Sequence, residues 1–294
     1  MHMVEQLAPD IRLLRAANPG PLTGTGTNTY IIGRSTVAVI DPGPDDPAHL
    51  AAILAALQPD ERISHIFLTH THEDHSGLVP ALVAATGAIT CGFGPATAGR
   101  STAMQKLAAA AGLQGGGEGI DLSFAPDLVL ADGDVVMGHD WALRAIHTPG
   151  HAAGHLCFAH GGQLFSGDHV MGWSSSLISP PDGDMADYMR SLQRLASERW
   201  DMAFPGHGPQ IDAPGPRIAA LAAHRHAREA ALLAALQGGA MGLHALTAAV
   251  YFDVPVAMHR AARRNVLAHV IDLHDRNLIA CADLTVPDPV IHRC

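Results

Sequence analysis

Residues 69–77 read Thr-His-Thr-His-Glu-Asp-His-Ser-Gly and form a dense cluster of potential metal ligands. The cluster directly follows a short apolar run that is typical of a buried strand. His70 and His72 point the same way on an extended backbone, because side-chain direction repeats every two residues. Asp74 and His75 lie past the bend, where they could face a second metal ion. The spacing favours a metal site over a solvated loop that happens to be rich in these residue types.

Three further potential ligands each follow a glycine at the predicted end of a strand, namely His151, Asp168 and His207. A glycine lets the backbone turn tightly and bring a short side chain to a metal ion. Each of these residues alone is equally consistent with a capping aspartate or a buried histidine held by hydrogen bonds. Together with the cluster they supply five histidines and two carboxylates. The predicted metal ligands are therefore His70, His72, Asp74, His75, His151, Asp168 and His207.

Such a ligand set is what two zinc ions with four or five ligands each require. Mn²⁺ and Fe²⁺ are the alternative ions, because imidazole and carboxylate ligands also suit them. Two cations held close together would lower the pKa of a shared water and give hydroxide near neutral pH. That hydroxide would attack a carbonyl carbon or a phosphorus atom, and the cations would stabilise the negative charge that develops. The pattern therefore predicts a binuclear metal-dependent hydrolase.

The bulk composition fits a globular enzyme. The chain has 294 residues, of which 48% are hydrophobic, so a sizeable core can be buried. No apolar run is long enough to span a bilayer, and the first 17 residues lack the continuous apolar stretch of a secretory signal. The four cysteines have no metal-ligand spacing and are expected to be reduced thiols. We therefore expect a cytoplasmic protein without a membrane partner.

Charge is unevenly distributed along the chain. Residues 1–216 carry a net charge of −12, whereas residues 217–294 carry +2. Neither part has the basic stripe that a tight nucleic-acid binder requires. Sequence-specific DNA binding is therefore not expected.

The elements that must position the ligands read as strands alternating with helices over the first two-thirds of the chain. Two successive strand-rich halves with helices outside them favour an α/β (α+β) fold, an αββα sandwich in which helices cover two packed sheets. Residues 112–119 are glycine-rich and predict a mobile loop. Strands are predicted at 29–32, 36–40, 65–68, 128–130, 141–147, 156–159, 163–165 and 202–204, and helices at 48–57, 78–85 and 188–196.

The chain changes character near Pro216, where alanine-rich helical patterns replace the alternation. Three predicted helices followed by a predicted β-hairpin are in the order of a winged-helix module. We therefore predict a catalytic domain over residues 1–216 and a winged-helix-like domain over residues 217–294. The helices are predicted at 217–236, 243–252 and 256–276, and the hairpin at 278–286.

The ligand motifs resemble those of the metallo-β-lactamase superfamily in order and separation. They are His70-Thr-His72-Glu-Asp74-His75, His-Thr-Pro-Gly-His151, Ser-Gly-Asp168 and Pro-Gly-His207-Gly-Pro. Asn18-Pro19-Gly20-Pro21, Gly26-Thr27-Asn28-Thr29-Tyr30 and the terminal module look like one branch, the LACTB-2-like proteins, whose best-known member is a mitochondrial endoribonuclease. The resemblance covers essentially the whole chain.

By this resemblance the seven residues divide into two ligand groups and one bridge. Asp74 would also orient the nucleophile or accept its proton, which makes it the predicted catalytic residue. Asp41, at the end of its strand, matches an aspartate that supports the site. One zinc ion would be held by His70, His72 and His151 and the other by Asp74, His75 and His207, with Asp168 between them.

The bridging aspartate helps to choose among the branches of the superfamily. True metallo-β-lactamases resemble this chain at the cluster but lack an aspartate at the position of Asp168, so β-lactamase activity is disfavoured. Glyoxalase II-like thioesterases and RNase Z-like nucleases have that aspartate. Sulfur dioxygenases of the superfamily bind one iron through fewer ligands, and the full set of seven argues against them.

Two classes of substrate are left open. The LACTB-2-like resemblance favours phosphodiester hydrolysis on single-stranded RNA, which is the main prediction. Against it stand the negative charge of residues 1–216 and an aromatic content of only 4%, because single-strand binders use basic grooves and stacking platforms. The alternative is a small-molecule thioester, lactone or ester hydrolase of the glyoxalase II type. A metal-binding scaffold without catalysis is disfavoured, since all seven ligands are intact.

The terminal module is expected to act in packing, as a lid over the cleft, or in forming a homodimer. On its first helix Arg225 and Glu229 have the i,i+4 spacing of an ion pair. His224 and His226 on that helix predict a solvated face, with contact to the active-site mouth as the alternative.

Residues 172–184 follow the bridging position and predict one wall of the substrate cleft. A glutathione thioester would also need cationic side chains near the mouth of the cleft. The candidates for that role are Arg225, Arg228, Arg263 and Arg264.

Overall fold

The computed structural model describes residues 4–110, 119–255 and 258–294. The loop predicted at 112–119 lies outside these residues except for Gly119. Within the described ranges, none of the helices combines the length and the hydropathy needed to cross a lipid bilayer.

Seven strands form the first sheet and lie side by side in chain order. They are β1 (Glu5–Ala8), β2 (Ile11–Arg15), β3 (Asn28–Ile32), β4 (Thr36–Ile40), β5 (Arg62–Phe67), β6 (Ile89–Gly92) and β7 (Leu128–Val129). Strands β1 to β4 pair antiparallel. From β4 to β7 the pairing is parallel, because helices and longer segments return the chain to the same edge before each new strand.

Five strands form the second sheet. They are β8 (Val135–Met137), β9 (Ala142–His147), β10 (Leu156–His160), β11 (Gln163–Gly167) and β12 (Met202–Pro205). Their spatial order is β12-β11-β10-β9-β8. Strands β8 to β11 pair antiparallel, whereas β12 pairs parallel to β11 because a helix connects the two.

The α-helices of the described residues are α1 (Pro47–Ala55), α2 (Glu73–Ser76), α3 (Val79–Thr86), α4 (Thr102–Ala109), α5 (Met185–Ala196), α6 (Pro214–Ala235), α7 (Leu243–Val250) and α8 (His259–Asp275). Helices cover the outer faces of both sheets, α1 and α3 on the first and α5 and α6 on the second. On the first sheet Val39 packs with Ile53 of α1 and Leu82 of α3. On the second sheet Leu164 packs in one cluster with Leu192 of α5 and residues of α6.

Aromatic and aliphatic side chains on the inward faces of the two sheets form the core between them. The ring centroids of Tyr30 and Phe165 lie 5.1 Å apart, and those of Phe67 and Phe158 lie 5.2 Å apart, both in edge-to-face geometry. Such pairs add roughly 0.5–1.5 kcal/mol beyond the burial of their surface. The predicted αββα sandwich is confirmed.

The topology brings the predicted ligands to one edge of the sandwich. Strands β4 and β5 are parallel, so their carboxyl ends meet at the same edge. In the second sheet β9, β11 and β12 run in one direction, because β10 is antiparallel to both β9 and β11. A functional residue follows the carboxyl end of each of these five strands: Asp41 after β4, His70 after β5, His151 after β9, Asp168 after β11 and His207 after β12.

Helices α6, α7 and α8 and a small sheet form the C-terminal module, whose core includes Val266 and Ile291. The sheet consists of β13 (Met241–Gly242), β14 (Ile279–Cys281) and β15 (Val290–Arg293) in the order β13-β15-β14. Helix α6 belongs to both parts, since Ile218 packs on the sandwich and Leu232 packs in the module. The predicted boundary after Pro216 falls in the first turn of α6, and the division into two domains there stays a prediction.

The terminal hairpin differs from the predicted one. Its strands are β14 and β15, with residues 282–289 between them, whereas the prediction placed the whole hairpin at 278–286. Residues 284–286 are good strand formers, but Oδ1 of Asp283 accepts hydrogen bonds from the N–H and the hydroxyl of Thr285 and fixes a turn there. Local side-chain hydrogen bonding therefore overrides strand propensity at this point.

Candidate metal centre

All seven predicted ligands lie together in the structure. Their ligand atoms form three groups, and within each group these atoms lie within 4.8 Å of one another. The residues come from four separate segments of the chain at the edge of the sandwich, and Asp74 and His75 lie in the short helix α2. The groups are His70, His72 and His151; His70, His75 and Asp168; and Asp74, His75 and His207.

Three imidazole nitrogens converge on one point in the first group. Nδ1 of His72 lies 2.8 Å from Nε2 of His70 and 3.0 Å from Nε2 of His151. The rings stand edge to face, at interplanar angles of 77–82°. Burial and the neighbouring His75 hold the pKa of His70 well below its usual value, and burial and His151 lower the pKa of His72 to about 3. Both side chains are therefore neutral at pH 7, the form that binds metal.

The opposite ring nitrogens show which atoms carry lone pairs. Nδ1–H of His151 donates to the carbonyl of Leu177 at 2.6 Å, and a carbonyl can only accept. Nδ1 of His70 lies 3.0 Å from Oγ1 of Thr69, whose hydroxyl already donates to Asp41 at 2.7 Å. That hydroxyl therefore accepts from His70. The Nε2 atoms of His70 and His151 thus face the same point, opposite ring nitrogens that donate hydrogen bonds, an arrangement that a cation between them would stabilise.

Beside the first group, two histidines and two carboxylates form a mixed group, which consists of Asp74, His75, His207 and Asp168. Nε2 of His207 lies 3.2 Å from Oδ2 of Asp74 and 3.4 Å from Oδ2 of Asp168. Nε2 of His75 lies 3.7 Å from Oδ2 of Asp74 and 3.6 Å from Oδ1 of Asp168. Oδ2 of Asp168 also lies 3.7 Å from Nε2 of His151 in the first group. Asp168 is thus within reach of both groups, as a bridging ligand must be.

Negative charge dominates the electrostatics of the mixed group. Burial lowers the pKa of His75, but the carboxylates of Asp74, Asp41 and Asp168 outweigh burial and raise it to about 9. Burial likewise lowers the pKa of His207, whereas Asp168 and Asp74 raise it to about 11. Burial raises the pKa of Asp74, but the two histidines outweigh burial and lower it to about 2. The ionised carboxylates therefore hold protons on the histidines, and a divalent cation would take the place of those protons.

The donor set fits divalent cations. Oδ1 of Asp168 is buried and, within the described part of the chain, has no hydrogen-bond donor. A buried charge is costly unless it is paired or coordinates a metal ion. Neutral imidazoles and ionised carboxylates are also the ligand types that Zn²⁺ and Fe²⁺ take in proteins. The seven side chains could therefore hold two cations in the arrangement that the resemblance implied.

Asp41 supports the ligand cluster from beneath. Its Oδ2 accepts from Nδ1–H of His75 at 2.9 Å and from the hydroxyl of Thr69 at 2.7 Å, and its Oδ1 accepts from the N–H of Thr69 at 2.8 Å. Its φ of +50° is in the left-handed region, which aspartate tolerates better than most residues. These bonds turn Nε2 of His75 toward the other ligands.

The Gly-Thr-Asn-Thr-Tyr motif at 26–30 holds the loop that carries His207. Nδ2 of Asn28 donates to the carbonyl of Gly208 at 2.8 Å, and its backbone N–H donates to the carbonyl of Gly206 at 2.8 Å. Nδ1–H of His207 donates to the carbonyl of the first residue of the motif at 3.3 Å. In the sequence this motif only suggested a branch of the superfamily, whereas the structure gives it a positioning role.

Two of the glycines that precede ligands are required by the local geometry. Gly167, before Asp168, has a φ of +48°, in the left-handed region that favours glycine. Gly206, before His207, is required for space: a Cβ there would lie 2.5 Å from Oδ1 of Asp168 and 2.7 Å from Cε1 of His75. Glycine at these positions therefore serves the turn in one case and the close approach of ligands in the other.

A cavity of about 710 Å³ opens onto the ligand cluster. The sandwich supplies its floor, and the loop at 172–184 supplies one wall, as the sequence predicted. The C-terminal module supplies its roof, which the sequence suggested only as one of three roles. The roof carries apolar side chains beside cationic ones, among them Tyr251, Val254, Met258, Arg228, Arg260 and Arg264.

The cationic candidates for the mouth of the cleft are only partly correct. Arg228 and Arg264 line the cavity, and so does Arg260, which the sequence gave no reason to choose. Arg225 does not line it, because its side chain is buried and donates to a backbone carbonyl of the loop. Burial and the positive charges of Arg260 and Arg263 lower the pKa of Arg264, which shows how closely positive charge is gathered at the start of α8.

The predicted ion pair on α6 is wrong. Arg225 turns inward, and Glu229 instead accepts two hydrogen bonds from Arg276 at the end of α8, at 2.8 and 2.9 Å. His226 is exposed, in agreement with a solvated helix face. His224 lines the cavity, in agreement with the alternative of contact with the active-site mouth.

Two family comparisons agree with the fold and the site. Residues 22–207 match the Metallo-beta-lactamase superfamily, and residues 243–283 match the Beta-lactamase associated winged helix domain. The chain belongs to the metallo-β-lactamase superfamily and is a hydrolase of that superfamily. Its C-terminal module is the associated winged-helix domain.

Two curated relatives and one solved structure are similar to most of the chain. Lactamase-like protein aptB of Emericella nidulans is 32% identical over a match that covers 85% of this chain and 76% of that protein. Atrochrysone carboxyl ACP thioesterase AgnL7 of Paecilomyces divaricatus is 32% identical, over 79% of this chain and 66% of its own length. The solved structure of a metallo-beta-lactamase family protein from Thermus thermophilus has a TM-score of 0.77 at 25% identity and matches 98% of this chain and 100% of that one.

Proposed function

We propose that this chain hydrolyses acyl thioesters with two divalent cations held by the seven predicted ligands. The observation that carries the proposal is the mostly apolar cavity of about 710 Å³ that links the ligand cluster to a cationic roof. Ligand pockets of this size enclose small molecules, with a few polar groups that fix their orientation. An acyl chain would lie against the apolar lining, its thioester would face the ligands, and an anionic group on the thiol part would meet the arginines.

The cavity gives less support to the RNA hydrolysis that the sequence favoured. Single-stranded RNA is bound on basic grooves with aromatic platforms on which bases stack. Among the described cavity residues, Tyr251 is the only Phe, Trp or Tyr, and the chain as a whole carries a net charge of −10. Relatives at 30–32% identity that are named ACP thioesterases also favour a thioester, here one carried by a small thiol or by a carrier protein.

The chemistry divides between the cations and the chain. When bound, the cations would supply an activated water and polarise the thioester carbonyl. The side chain of Asp74 is about one-third exposed and stays ionised, so it can accept a proton from the attacking water. The water oxygen bonds to the carbonyl carbon and the carbon–sulfur bond breaks. Asp74 returns its proton to the departing sulfur, and the acid product releases the second water proton to solvent.

A substrate panel tests the proposal. Zinc-loaded protein is tested with the N-acetylcysteamine thioester of benzoic acid, single-stranded RNA, bis(p-nitrophenyl) phosphate and nitrocefin. For the thioester, release of the thiol is followed with a thiol-reactive dye. We expect turnover of the thioester, about two metal ions per chain, and a loss of more than about 100-fold in Asp168→Ala. Asp201→Ala, at a carboxylate that is 68% exposed, is the matched control. RNA cleavage without thioester turnover would reject the proposal.

A further inference from the structure

One carbonyl of the cavity wall contacts a predicted metal ligand. Nδ1–H of His151 donates to the carbonyl of Leu177 at 2.6 Å. This bond sets the direction of the ring, and in the form of the imidazole that binds metal it leaves the lone pair on the opposite nitrogen. That Nε2 atom lies 3.0 Å from Nδ1 of His72 and 3.7 Å from Oδ2 of Asp168. The position of the Leu177 carbonyl therefore decides where His151 points.

The residues on both sides of Leu177 are held by the C-terminal module. The N–H of Ile178 donates to Oδ1 of Asn265 on α8 at 2.9 Å. The guanidinium of Arg225 on α6 donates to the carbonyl of Ser176 and, at 3.4 Å, to Oδ1 of Asn265. Two residues from helices that carry none of the seven ligands thus fix the loop segment that orients a ligand.

The environment of Arg225 argues for a specific role. Its side chain is 1% exposed and lies over the ring of Tyr188, with 5.1 Å between guanidinium carbon and ring centroid. Its hydrogen-bond acceptors among the described residues are a backbone carbonyl and an amide oxygen, with no carboxylate. Burial of a cation without a carboxylate partner is costly, and an apolar side chain could fill the same space at lower cost. Packing alone therefore does not explain an arginine here.

We propose that Arg225 and Asn265 are positioning residues for His151, so that the C-terminal module completes the metal site as well as covering it. The proposal rests on the proposed function in one respect, that His151 binds a cation. Asn265 also lines the cavity, and an effect on substrate binding must be separated from an effect on the ligand. Metal binding measured without substrate makes that separation.

The central test is Asn265→Ala in the full chain. Zinc affinity is measured by competition with a chromophoric chelator in the absence of substrate, and the Co²⁺-substituted protein is examined by its visible d–d spectrum. We expect the affinity for one of the two ions to fall about tenfold, the lower end of the effect of groups that orient a ligand. The d–d spectrum should change as well. Asn265→Asp, which keeps an acceptor oxygen beside Arg225, should restore both properties.

The matched control is Arg276→Met. It removes the Arg276–Glu229 pair, another contact between α6 and α8 that does not reach the loop, and should leave zinc affinity and the cobalt spectrum unchanged. Wild-type values in Asn265→Ala would overturn the proposal even if turnover fell. If that variant does not fold, Arg225→Lys takes its place, since it keeps the charge but shortens the reach to Ser176. A wild-type chain that binds no divalent ion would instead reject the metal site of the proposed function.

Discussion

Nδ1 of His75 lies 2.9 Å from Oδ2 of Asp41, and both side chains are buried. The same carboxylate accepts both donors of Thr69, so one aspartate at the end of β4 ties down the ligand loop that follows β5. A carboxylate behind a ligating histidine fixes the ring and raises its basicity. Asp41 would therefore act on a bound cation through the orientation of His75.

Asp41→Asn should weaken metal binding or activity by about 10- to 100-fold. The amide is close in shape, but it lacks the charge that holds Nδ1–H of His75. Zinc affinity and thioester turnover measure the effect. The control is Asp127→Asn, because Asp127 accepts from the N–H and hydroxyl of Thr90 in the same way but away from the ligands. Equal effects of the two substitutions would show that Asp41 only stabilises the fold.

Gly206→Ala should disrupt the bridge between the ligand groups while the fold survives. The new methyl group would lie 2.5 Å from Oδ1 of Asp168 and 2.7 Å from Cε1 of His75, so at least one of these side chains must move. We expect bound metal per chain to fall and activity to drop about 10- to 100-fold. In Gly215→Ala the added Cβ meets no atom within 4 Å, and activity should be unchanged. Full metal content in Gly206→Ala would contradict the geometry.

Arg264→Ala should weaken the binding of anionic thioesters only. The test compares the benzoyl thioesters of 4′-phosphopantetheine and of uncharged N-acetylcysteamine. For the phosphorylated substrate KM should rise about tenfold, or ~1.4 kcal/mol, the size of one charge-assisted hydrogen bond. Its kcat should change little, because a contact that is made equally in the bound substrate and in the transition state contributes to binding and not to the chemical step. Arg199→Ala, 92% exposed, is the control. The same rise for the neutral thioester would exclude recognition of charge.

His269→Leu should make stability less dependent on pH. His269 is 1% exposed, and burial together with the charge of Arg225 lowers its pKa from 6.5 to about 3. Below pH 6.5 the unfolded chain binds a proton that the folded chain does not, so the stability that this residue contributes is complete above that pH and lost toward pH 3. Between pH 7.5 and 5.5 the wild type should lose about 1.4 kcal/mol more than the variant. Urea titrations at both pH values measure the difference, and identical losses would refute it.

The convergence of the seven candidate ligands could be predicted from the sequence because each of them stands in a recognisable local motif. Residues 70–75 form one compact motif, and His151, Asp168 and His207 each follow a glycine. The hydrogen bond between Ile178 and Asn265 has no such motif, since 87 residues separate its partners and no spacing rule connects them. Contacts of this kind depend on how two modules pack and are not encoded locally.

Where prediction failed, tertiary packing outweighed a local pattern. Arg225 and Glu229 have the spacing of a surface ion pair, yet Arg225 is buried, because its guanidinium donates to the carbonyl of Ser176 in the loop at 172–184. Strand β2 was missed because Arg12 interrupts its apolar pattern. In the structure Arg12 is 6% exposed and forms an ion pair with Glu61 at 2.7 Å. Because the positive charge of Arg12 is paired, the strand can be buried. The periodicity of apolar residues cannot predict a buried ion pair between residues that are distant in the sequence.

The cavity is lined by residues of both the sandwich and the C-terminal module, and this has an evolutionary consequence. Side chains of the roof such as Val254, Met258 and Ala261 carry no part of the hydrolytic chemistry. If the proposed function holds, drift at these positions can change which substrates fit the cavity while bond cleavage is preserved, so new specificities can arise without a change in the ligand residues. Arg225 and Asn265 would be exceptions under the positioning role proposed above, because a change there would alter the orientation of His151, and selection should hold both in place while their neighbours diverge.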